Sequence, residues 1–380
     1  MASSIGWSAS TAKLSSLVKP TTPLRARDRH VPFAVSAIYH ALREPTHQGT
    51  RLNIDIFPHI LPKLYFDQVQ ASGTVGMLMA KRIQSVTALH DLDTRLRIMD
   101  EYENYTQVLT LGAPPIENIA GPDVTPDLAK LANEEMAKLC QQRPDTFLGF
   151  VASLPLNNPH ASIVELERAI DELGAVGVQL NTNVSGKPLD LPDFEPIFAK
   201  MADADLPIWV HPTRTPAAAE YLDEPRSYYD MWWAFGWPFE TSVAMGRIVF
   251  SGMFDRYPGL KVITHHMGAM VPYFENRVGP GLDALGERSD DPIDGAALTS
   301  LKKTPAEYFR MFYGDTALFG AVGAMRCGLD YFGADHVLFG TDMPFVGHIS
   351  DTLDGIAQLN LDDTDKHAIM EGNARRLLSL

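Results

Sequence analysis

From about residue 52 onward, apolar side chains occur in short, nearly continuous runs of Val, Ile, Leu and Phe. Strands that are buried on both faces have this pattern, whereas half-exposed strands alternate apolar and polar side chains. The runs predict eight strands, at residues 52–57, 107–112, 147–154, 175–180, 206–211, 260–266, 311–315 and 336–342.

The stretches between these runs repeat apolar positions with helical spacing. Examples are TRLRIMDEYENY, TPDLAKLANEEMAKLCQQRP, ASIVELERAIDELG and DFEPIFAKMADADL. In the third stretch Ser162 and Glu165 have the S-x-x-E spacing of a capping box, which predicts a helix start there. Eight strands that alternate with helices predict an α/β fold, a (β/α)8 TIM barrel over residues 52–380.

The beginning of the chain has a different composition. Residues 1–27 carry four basic residues, many Ser and Thr, and no acidic residue. This composition is typical of an organelle transit peptide, but a disordered leader or an over-extended start site would also have it. We therefore expect residues 1–45 to lie outside the barrel. The expected location is cytoplasmic, or organellar if the segment is a transit peptide.

The overall composition argues against several kinds of partner. A net charge of -15 is unsuited to nucleic-acid binding, which needs Lys and Arg to neutralise phosphates. Cys140 and Cys327 lie far apart in the sequence, so neither a disulfide framework nor a thiolate metal site is predicted. No apolar run approaches the roughly 18 residues that a membrane-spanning helix needs. The expected partner is a small molecule, and an anionic one would require a local cation.

Ionisable residues occur at the predicted ends of five strands. They are His59, His211, His265, His266, Asp315 and Asp342. Because barrel strands end at one mouth, these side chains are expected to converge. Imidazole nitrogen and carboxylate oxygen bind zinc and similar divalent ions, and three protein ligands leave a position open for water or substrate. Each histidine has the alternative of an ordinary loop residue, and the two aspartates that of helix caps. The convergence favours a metal site.

Several motifs together resemble one known family. The resemblance is carried, in chain order, by IDIFPHILPK, VHPTRTP, GWPFETSVAMGRIVFSGMFDRYPGLKVITHHMGAMVPYFENR, LFGTDMPF and GNARRLL. They are similar to the amidohydrolase-related (amidohydrolase 2) family, which includes aminocarboxymuconate semialdehyde decarboxylase and gamma-resorcylate decarboxylase. The resemblance covers about residues 52–380. It implies a barrel of the metal-dependent hydrolase type, and a homodimer or higher homo-oligomer.

The resemblance also implies roles for single residues. In the family, strand one usually ends in H-x-H or a Glu-containing variant, and its histidines bind metal. His59 matches the second histidine, His211 the strand-five ligand and Asp342 the strand-eight ligand. One divalent ion, zinc or manganese, is therefore expected on these three residues. His266 matches the catalytic histidine, because Pro272 then falls at the distance found in the family.

Phe57 departs from the family pattern. It occupies the place of the first histidine of H-x-H and cannot bind a metal ion. Its ring is expected to wall the cavity, to bind the flat face of a substrate, or to mark a site that has lost catalysis. Phe57 and His59 lie two residues apart, so a regular strand would point both to one face, although Pro58 introduces a kink. Phe57→His would rebuild H-x-H and is predicted to tighten metal binding at least about tenfold.

The activity that the resemblance implies is non-oxidative decarboxylation of an aromatic or unsaturated carboxylic acid. His266 is expected to act as general base or proton relay. Asp342 is expected both to bind the metal and to take part in proton delivery to the carbon that loses carbon dioxide. Arg214, just after the H-P motif, is a candidate clamp for the substrate carboxylate, with a surface role as the alternative.

Aromatic residues near the strand-five loop are candidates for binding a planar ring, with helix packing as the alternative. They are Trp237 and its neighbours Trp232, Trp233 and Phe235.

Two other functions remain open. One is a metal-dependent hydrolase of a lactone or amide, because the same fold serves both reactions. The other is a non-catalytic barrel, which the loss of a ligand at Phe57 would favour.

The adjacent histidines at the end of strand six raise a separate question. Neighbouring residues on a strand point to opposite faces. Only one of the pair can therefore face the barrel interior while the other meets the helical layer. The spacing to Pro272, as the family resemblance implies, selects His266 for the interior, and we predict that His266→Ala is the more damaging to turnover.

Overall fold

The computed structural model describes residues 51–72, 77–288, 290–345 and 347–380. The predicted N-terminal extension, residues 1–45, lies outside the described residues, so its interpretation stays a prediction. Within the described residues, no helix combines the length and the apolar character needed to cross a bilayer.

Short parallel strands form the centre of the fold. In chain order the strands are β1 (Asn53–Asp55), β2 (His59–Ile60), β3 (Tyr105–Leu111), β4 (Phe147–Phe150), β5 (Ala152–Ser153), β6 (Val178–Asn181), β7 (Asn183–Val184), β8 (Lys187–Pro188), β9 (Ile208–His211), β10 (Val262–Thr264), β11 (Tyr313–Asp315) and β12 (Val337–Leu338). Each predicted run contains or overlaps one of the barrel strands. The antiparallel pair β7–β8 is an addition to that pattern.

Parallel pairing runs around a closed barrel. Strands β1 and β2 pair with β3, which pairs with β4. The order then continues through β5, β6, β9, β10, β11 and β12. The ring is closed where Ile56 N donates to Phe339 O at 3.0 Å and His59 N donates to Met343 O at 2.6 Å. Counting β1–β2 and β4–β5 as one strand each, eight strands form the predicted (β/α)8 barrel.

Helices and short turns connect the strands. The helices are α1 (Lys63–Ser72), α2 (Met77–Ser85), α3 (Leu92–Met99), α4 (Thr125–Gln142), α5 (Pro159–Asp171), α6 (Glu195–Asp203), α7 (Met231–Ala234), α8 (Gly236–Phe250), α9 (Met253–Arg256), α10 (Glu275–Val278), α11 (Pro292–Ser300), α12 (Pro305–Phe309), α13 (Val322–Phe332), α14 (Ile349–Ala357), α15 (Asp363–His367) and α16 (Asn373–Leu378).

Two local predictions need correction. The helical pattern from Thr94 onward continues too far, because α3 ends at Met99 and Asn104 has a left-handed φ of 59° before β3 begins. The predicted capping box is wrong as well. Asn158 caps α5 by accepting a hydrogen bond from Ala161 N. The Ser162 hydroxyl instead donates to Pro155 O at 2.8 Å.

Side chains alternate between the inside and the outside of the barrel along each strand. In β9, Trp209 belongs to the inner apolar cluster, whereas Ile208 and Val210 pack in the outer cluster with the helices. The Trp209 indole N–H crosses the barrel and donates to Ile56 O at 3.0 Å. Ile263 in β10 and Tyr313 in β11 belong to the same inner cluster, which fixes the face on which later residues of these strands lie.

Candidate active site and metal centre

The strand alternation decides which polar residues face the barrel interior. Three inward-facing residues each precede a polar residue by two positions: Trp209 precedes His211, Ile263 precedes His265, and Tyr313 precedes Asp315. Residues two positions apart on a strand point to the same side, so these polar side chains also face the interior. All three polar side chains are buried. The barrel mouth therefore contains His265 and Asp315 in addition to the predicted ligands.

His59 is held by hydrogen bonds on both its ring and its backbone. The Thr110 hydroxyl donates to Pro58 O at 2.8 Å, so the His59 Nδ1–H donates to Thr110 Oγ1 at 3.0 Å. This tautomer leaves the lone pair of Nε2 free. His59 Nε2 lies 3.1 Å from Asp342 Oδ1, but without the geometry of a hydrogen bond. Burial lowers the pKa of His59, which keeps the ring neutral.

His211 has the same arrangement. Its Nδ1–H donates to Pro212 O at 2.7 Å, because a carbonyl oxygen can only accept. Its Nε2 lone pair is thereby left for another partner. Burial, together with the nearby rings of His59 and His265, lowers the pKa of His211 well below its ordinary value.

His265 forms a buried pair with Asp315. The His265 Nδ1–H donates to Asp315 Oδ2 at 2.6 Å, and Asp315 Oδ1 accepts the backbone N–H of His266 and Ala317, each at 3.0 Å. Asp315 is therefore not a helix cap, and α13 begins only at Val322. Burial would lower the pKa of His265, but the charges of Asp315 and Asp342 raise it to about 9.

The prediction that His265 faces the helical layer is wrong. Strand β10 ends at Thr264, and His266 has a left-handed φ of 56°, so strand alternation does not extend across the pair. Both rings approach Asp342. Its Oδ1 lies 3.5 Å from His265 Nε2, and its Oδ2 lies 3.8 Å from His266 Nε2. His265 is completely buried, whereas His266 is partly exposed.

Asp342 lies at the centre of the imidazoles. Burial alone would raise the pKa of Asp342, but the neighbouring rings of His265 and His266, and the charge of His265, hold it well below its ordinary value. Its alternative role as a helix cap does not apply, because α14 begins only at Ile349. Asp342 is thus a carboxylate that three imidazoles surround.

The donor atoms fit a divalent metal ion. His59, His211 and His265 each direct the Nδ1–H to an oxygen, and their candidate ligand atoms lie within 4.8 Å of one another. Nε2 of His59 and of His265 has no hydrogen-bond partner among the described residues. Buried polar atoms normally have a partner, and imidazole nitrogens whose second N–H is held by oxygen are typical metal ligands. The cluster, with Asp342 beside it, could therefore hold one divalent cation.

Asp55 connects the end of the first barrel strand to the segment before Asp342. Its Oδ1 accepts the backbone N–H of Phe57 at 3.0 Å and that of Thr341 at 3.2 Å. The Tyr105 and Thr341 hydroxyls donate to its Oδ2. Burial raises the pKa of Asp55 to about 6, although these hydrogen bonds oppose the shift. This network fixes the backbone on both sides of the histidine cluster.

Phe57 points toward the histidines, as strand spacing predicted, but it has no exposed surface for a substrate. Its ring stacks on His265 with centroids 3.9 Å apart and lies 5.6 Å from the His59 ring. Phe57 is completely buried, so it does not offer the predicted contact to a substrate. Its ring instead packs against the rings of His265 and His59.

A cavity of about 300 Å³ opens beside the cluster. It is lined by His211, Asp342, Trp232, Trp233, Trp237, Phe345, Ala113, Arg82, Ser85 and Val86. Trp237 contacts the His211 ring edge to face, with centroids 5.4 Å apart. Phe235 does not share this role, because it is 68% exposed on the surface. Three of the four predicted aromatic residues therefore form walls of this cavity, which we call the active-site cavity.

Arg214 is not available as the predicted carboxylate clamp. Its Nη1 donates to Glu240 Oε1 at 3.0 Å, and that carboxylate neutralises it. Arg82, from α2, is instead the cation among the described residues that line the active-site cavity. Its guanidinium pairs with Asp230 and lies 5.2 Å from the centroid of Trp232. No motif in the sequence indicates Arg82, whereas His265 was detectable from its spacing to Ile263.

The buried Arg95 side chain holds the backbone of His59, and replacing it is expected to lower the stability of the protein. Arg95 is completely buried; its Nη1 donates to His59 O at 2.6 Å, and its Nε and Nη2 donate to Gln107 Oε1. We expect Arg95→Leu to lower the free energy of unfolding by about 3 kcal/mol, because two buried acceptors lose their donors. Urea denaturation measures the change. Arg97→Leu, an exposed position on the same helix, is the control, and equal losses in both variants would contradict the role of Arg95.

Comparison with known proteins gives the family. The family model described as amidohydrolase matches residues 57–380. This chain belongs to the amidohydrolase family. Gamma-resorcylate decarboxylase from Polaromonas sp. is 32% identical over 296 residues, which is 76% of this chain and 87% of that protein. The 2-amino-3-carboxymuconate-6-semialdehyde decarboxylase of Dictyostelium discoideum is 29% identical over 87% of this chain and 92% of that protein. The family resemblance inferred from the sequence is confirmed.

A solved structure has the same fold as this amidohydrolase family member. It is dihydroxybenzoic acid decarboxylase from Polaromonas sp. with bound manganese and the inhibitor 2-nitroresorcinol. The TM-score is 0.71 and the identity 28%, and the match covers 87% of this chain and 98% of that one.

Proposed function

We propose that this chain catalyses the metal-dependent, non-oxidative decarboxylation of an aromatic or unsaturated carboxylic acid. The observation that carries the proposal is that the three buried imidazoles of His59, His211 and His265 converge with Asp342 beside a cavity with tryptophan walls. The relatives described above support it, because they are decarboxylases of small unsaturated or aromatic acids.

The proposed metal ligands are His59, His211 and Asp342, with His265 as a fourth. A divalent cation at this place would supply the positive charge that attracts a carboxylate and polarises substrate oxygens. Three imidazoles and one carboxylate are a ligand set that suits zinc, and manganese is the alternative because a solved relative contains it. Metal binding would displace the proton from His265, since ligands bind deprotonated.

His266 is the proposed proton relay. Burial and the charge of His265 lower its pKa, so the ring is neutral near pH 7 and able to accept a proton. It is the most exposed of the clustered imidazoles and lies 3.8 Å from Asp342. In the reaction the bond from the ring carbon to the carboxylate breaks, carbon dioxide leaves, and that carbon takes a proton. The partly exposed His266 is proposed to take this proton from solvent, and His266 and Asp342 together are proposed to deliver it to the carbon.

The active-site cavity suits a single flat ring. Its volume of about 300 Å³ is at the lower end for small-molecule sites. Trp237 and Phe345 are proposed to contact the ring faces, since both also contact metal-ligand histidines. Arg82 at the cavity wall is paired with Asp230, as Arg214 is with Glu240, so the metal ion is proposed to supply the charge that attracts the substrate carboxylate.

Carbon dioxide release from a panel of aromatic and muconate-type acids tests the function. We expect His266→Ala to keep its metal, measured by elemental analysis, and to lose about 100-fold or more in turnover. His160→Ala, at an exposed position on α5, is the control and should match the unchanged protein. If no acid on the panel releases carbon dioxide while lactones or amides are opened, the hydrolase alternative replaces this proposal. The homo-oligomeric state and the compartment stay predictions.

A further inference from the structure

A second, smaller cavity adjoins the active-site cavity, and we call it the side cavity. Its volume is about 20 Å³, which is room for one water-sized group. Ala113 and His211 line both cavities, so the side cavity lies directly against the proposed metal site. Besides His211, its polar lining consists of Glu117, Gln179, Asn181 and Ser153.

Glu117 is a buried carboxyl that the proposed reaction does not use. It lies in the short turn Ile116–Asn118 that follows β3, and it is 7% exposed. Its Oε1 has no hydrogen-bond partner among the described residues. Burial raises the pKa of Glu117 to about 7, although its own backbone N–H and the Asn181 side chain oppose the shift. A buried carboxyl in this condition costs stability, so its position calls for an explanation.

Gln179 supplies a second unpartnered acceptor to the side cavity. Its amide nitrogen donates to Leu111 O at 3.1 Å, which leaves Oε1 as the free end. This Oε1 has no hydrogen-bond partner among the described residues either. The side cavity thus offers two acceptor oxygens and room for one small group. A hydroxyl group can donate its one hydrogen to Glu117 Oε1, whereas a methyl group leaves this oxygen unpaired and a second carboxylate is repelled by it.

We infer that the side cavity is a specificity subsite, in which Glu117, beside Gln179, accepts a hydrogen bond from one hydroxyl group on the substrate ring. The inference rests on the proposed function, because it takes the substrate to be an aromatic acid bound at His211. The subsite also orients the ring. The hydroxyl enters the side cavity, and the substrate carboxylate, which the acceptor oxygens repel, is directed away from it.

Binding of unreactive analogues to the metal-loaded protein tests the subsite. The reference ligand is 2-nitrophenol, in which a nitro group replaces the carboxylate so that no carbon dioxide can leave. It is compared by calorimetry with its four derivatives that carry one further ring hydroxyl. We expect at least one derivative to bind about tenfold more tightly than 2-nitrophenol, as a hydrogen bond to a charged group allows.

Two variants at position 117 test whether Glu117 causes the preference for the additional hydroxyl. Glu117→Leu should abolish the tenfold preference while changing the affinity for 2-nitrophenol less than about twofold. Glu117→Gln keeps an acceptor oxygen and nearly the same volume, so part of the preference should remain. Glu165→Gln is the control, because Glu165 is equally buried but fully engaged with Arg168 and Asn133. Its preference should equal that of the unchanged protein.

The outcomes separate the subsite from the reaction. A preference that is absent in the unchanged protein, or that survives in Glu117→Leu, overturns the subsite and leaves the side cavity with an ordered water only. Carbon dioxide release without the preference refutes the subsite alone. The expected preference without release of carbon dioxide from any acid refutes the proposed reaction and supports the subsite. Thermal melting shows that the variants fold, and both Glu117 variants should melt at or above the unchanged protein, because they remove a buried, unsatisfied carboxylate.

Discussion

His211→Ala is expected to lose its bound metal and, with it, nearly all turnover. The Nδ1–H of His211 donates to Pro212 O, so its Nε2 lone pair is left to bind the metal ion. Alanine has no ligand atom to take its place. We expect the affinity for zinc or manganese to fall about 100-fold or more, which corresponds to about 2.7 kcal/mol. Competitive chelator titration measures the affinity directly, and elemental analysis of the purified variant gives the metal content.

A loss of metal from His211→Ala indicates a lost ligand only if the variant is folded. His211 is buried, so circular dichroism and thermal melting should accompany the titration. His336→Ala is a suitable control, because the His336 Nδ1–H also donates to a backbone carbonyl, that of Phe312, at 3.0 Å. It is not part of the cluster, so its metal content should be unchanged. Full metal content in folded His211→Ala would remove this residue from the ligand set.

The second large effect is expected at His265, which we propose replaces the ligand missing at Phe57. The two rings stack with centroids 3.9 Å apart, so an imidazole at either position reaches the same part of the cluster. His265→Ala should weaken metal binding about tenfold or more. Adding Phe57→His should recover that loss, because it restores an imidazole where strand one normally supplies one.

The comparison of single and double variants makes this prediction specific. Phe57→His should improve metal affinity more in the His265→Ala background than in the unchanged protein, where His265 already supplies the ligand. Phe57→Leu in the same background is the control, because it changes the packing without adding a ligand. If Phe57→His and Phe57→Leu give equal affinities, position 57 does not face the metal and the proposed replacement fails.

Much of the site was predictable from local patterns. Continuous apolar runs marked all eight barrel strands, and a polar residue at the end of a strand marked the mouth of the barrel. His59, His211 and Asp342 were found in this way, and the structure brings them together with distances such as 3.1 Å between His59 Nε2 and Asp342 Oδ1. The predicted strands are confirmed because burial of a strand and the end of a strand are both encoded by neighbouring residues, whereas the roles of these three residues as metal ligands stay a prediction.

The sequence alone determined the barrel, the family and the strand ends from which the cluster is built, because each depends on residues a few positions apart. Only the tertiary structure decided which partners those residues have. His265 is paired with Asp315, 50 residues later, and Arg214 is neutralised by Glu240, 26 residues later. In the same way, only the fold shows that the unpartnered Oε1 of Glu117 belongs to a cavity that Gln179 and His211 also line. A hydrogen bond or an ion pair forms between atoms a few ångströms apart in space, and no local pattern records which distant residue the fold brings to that distance.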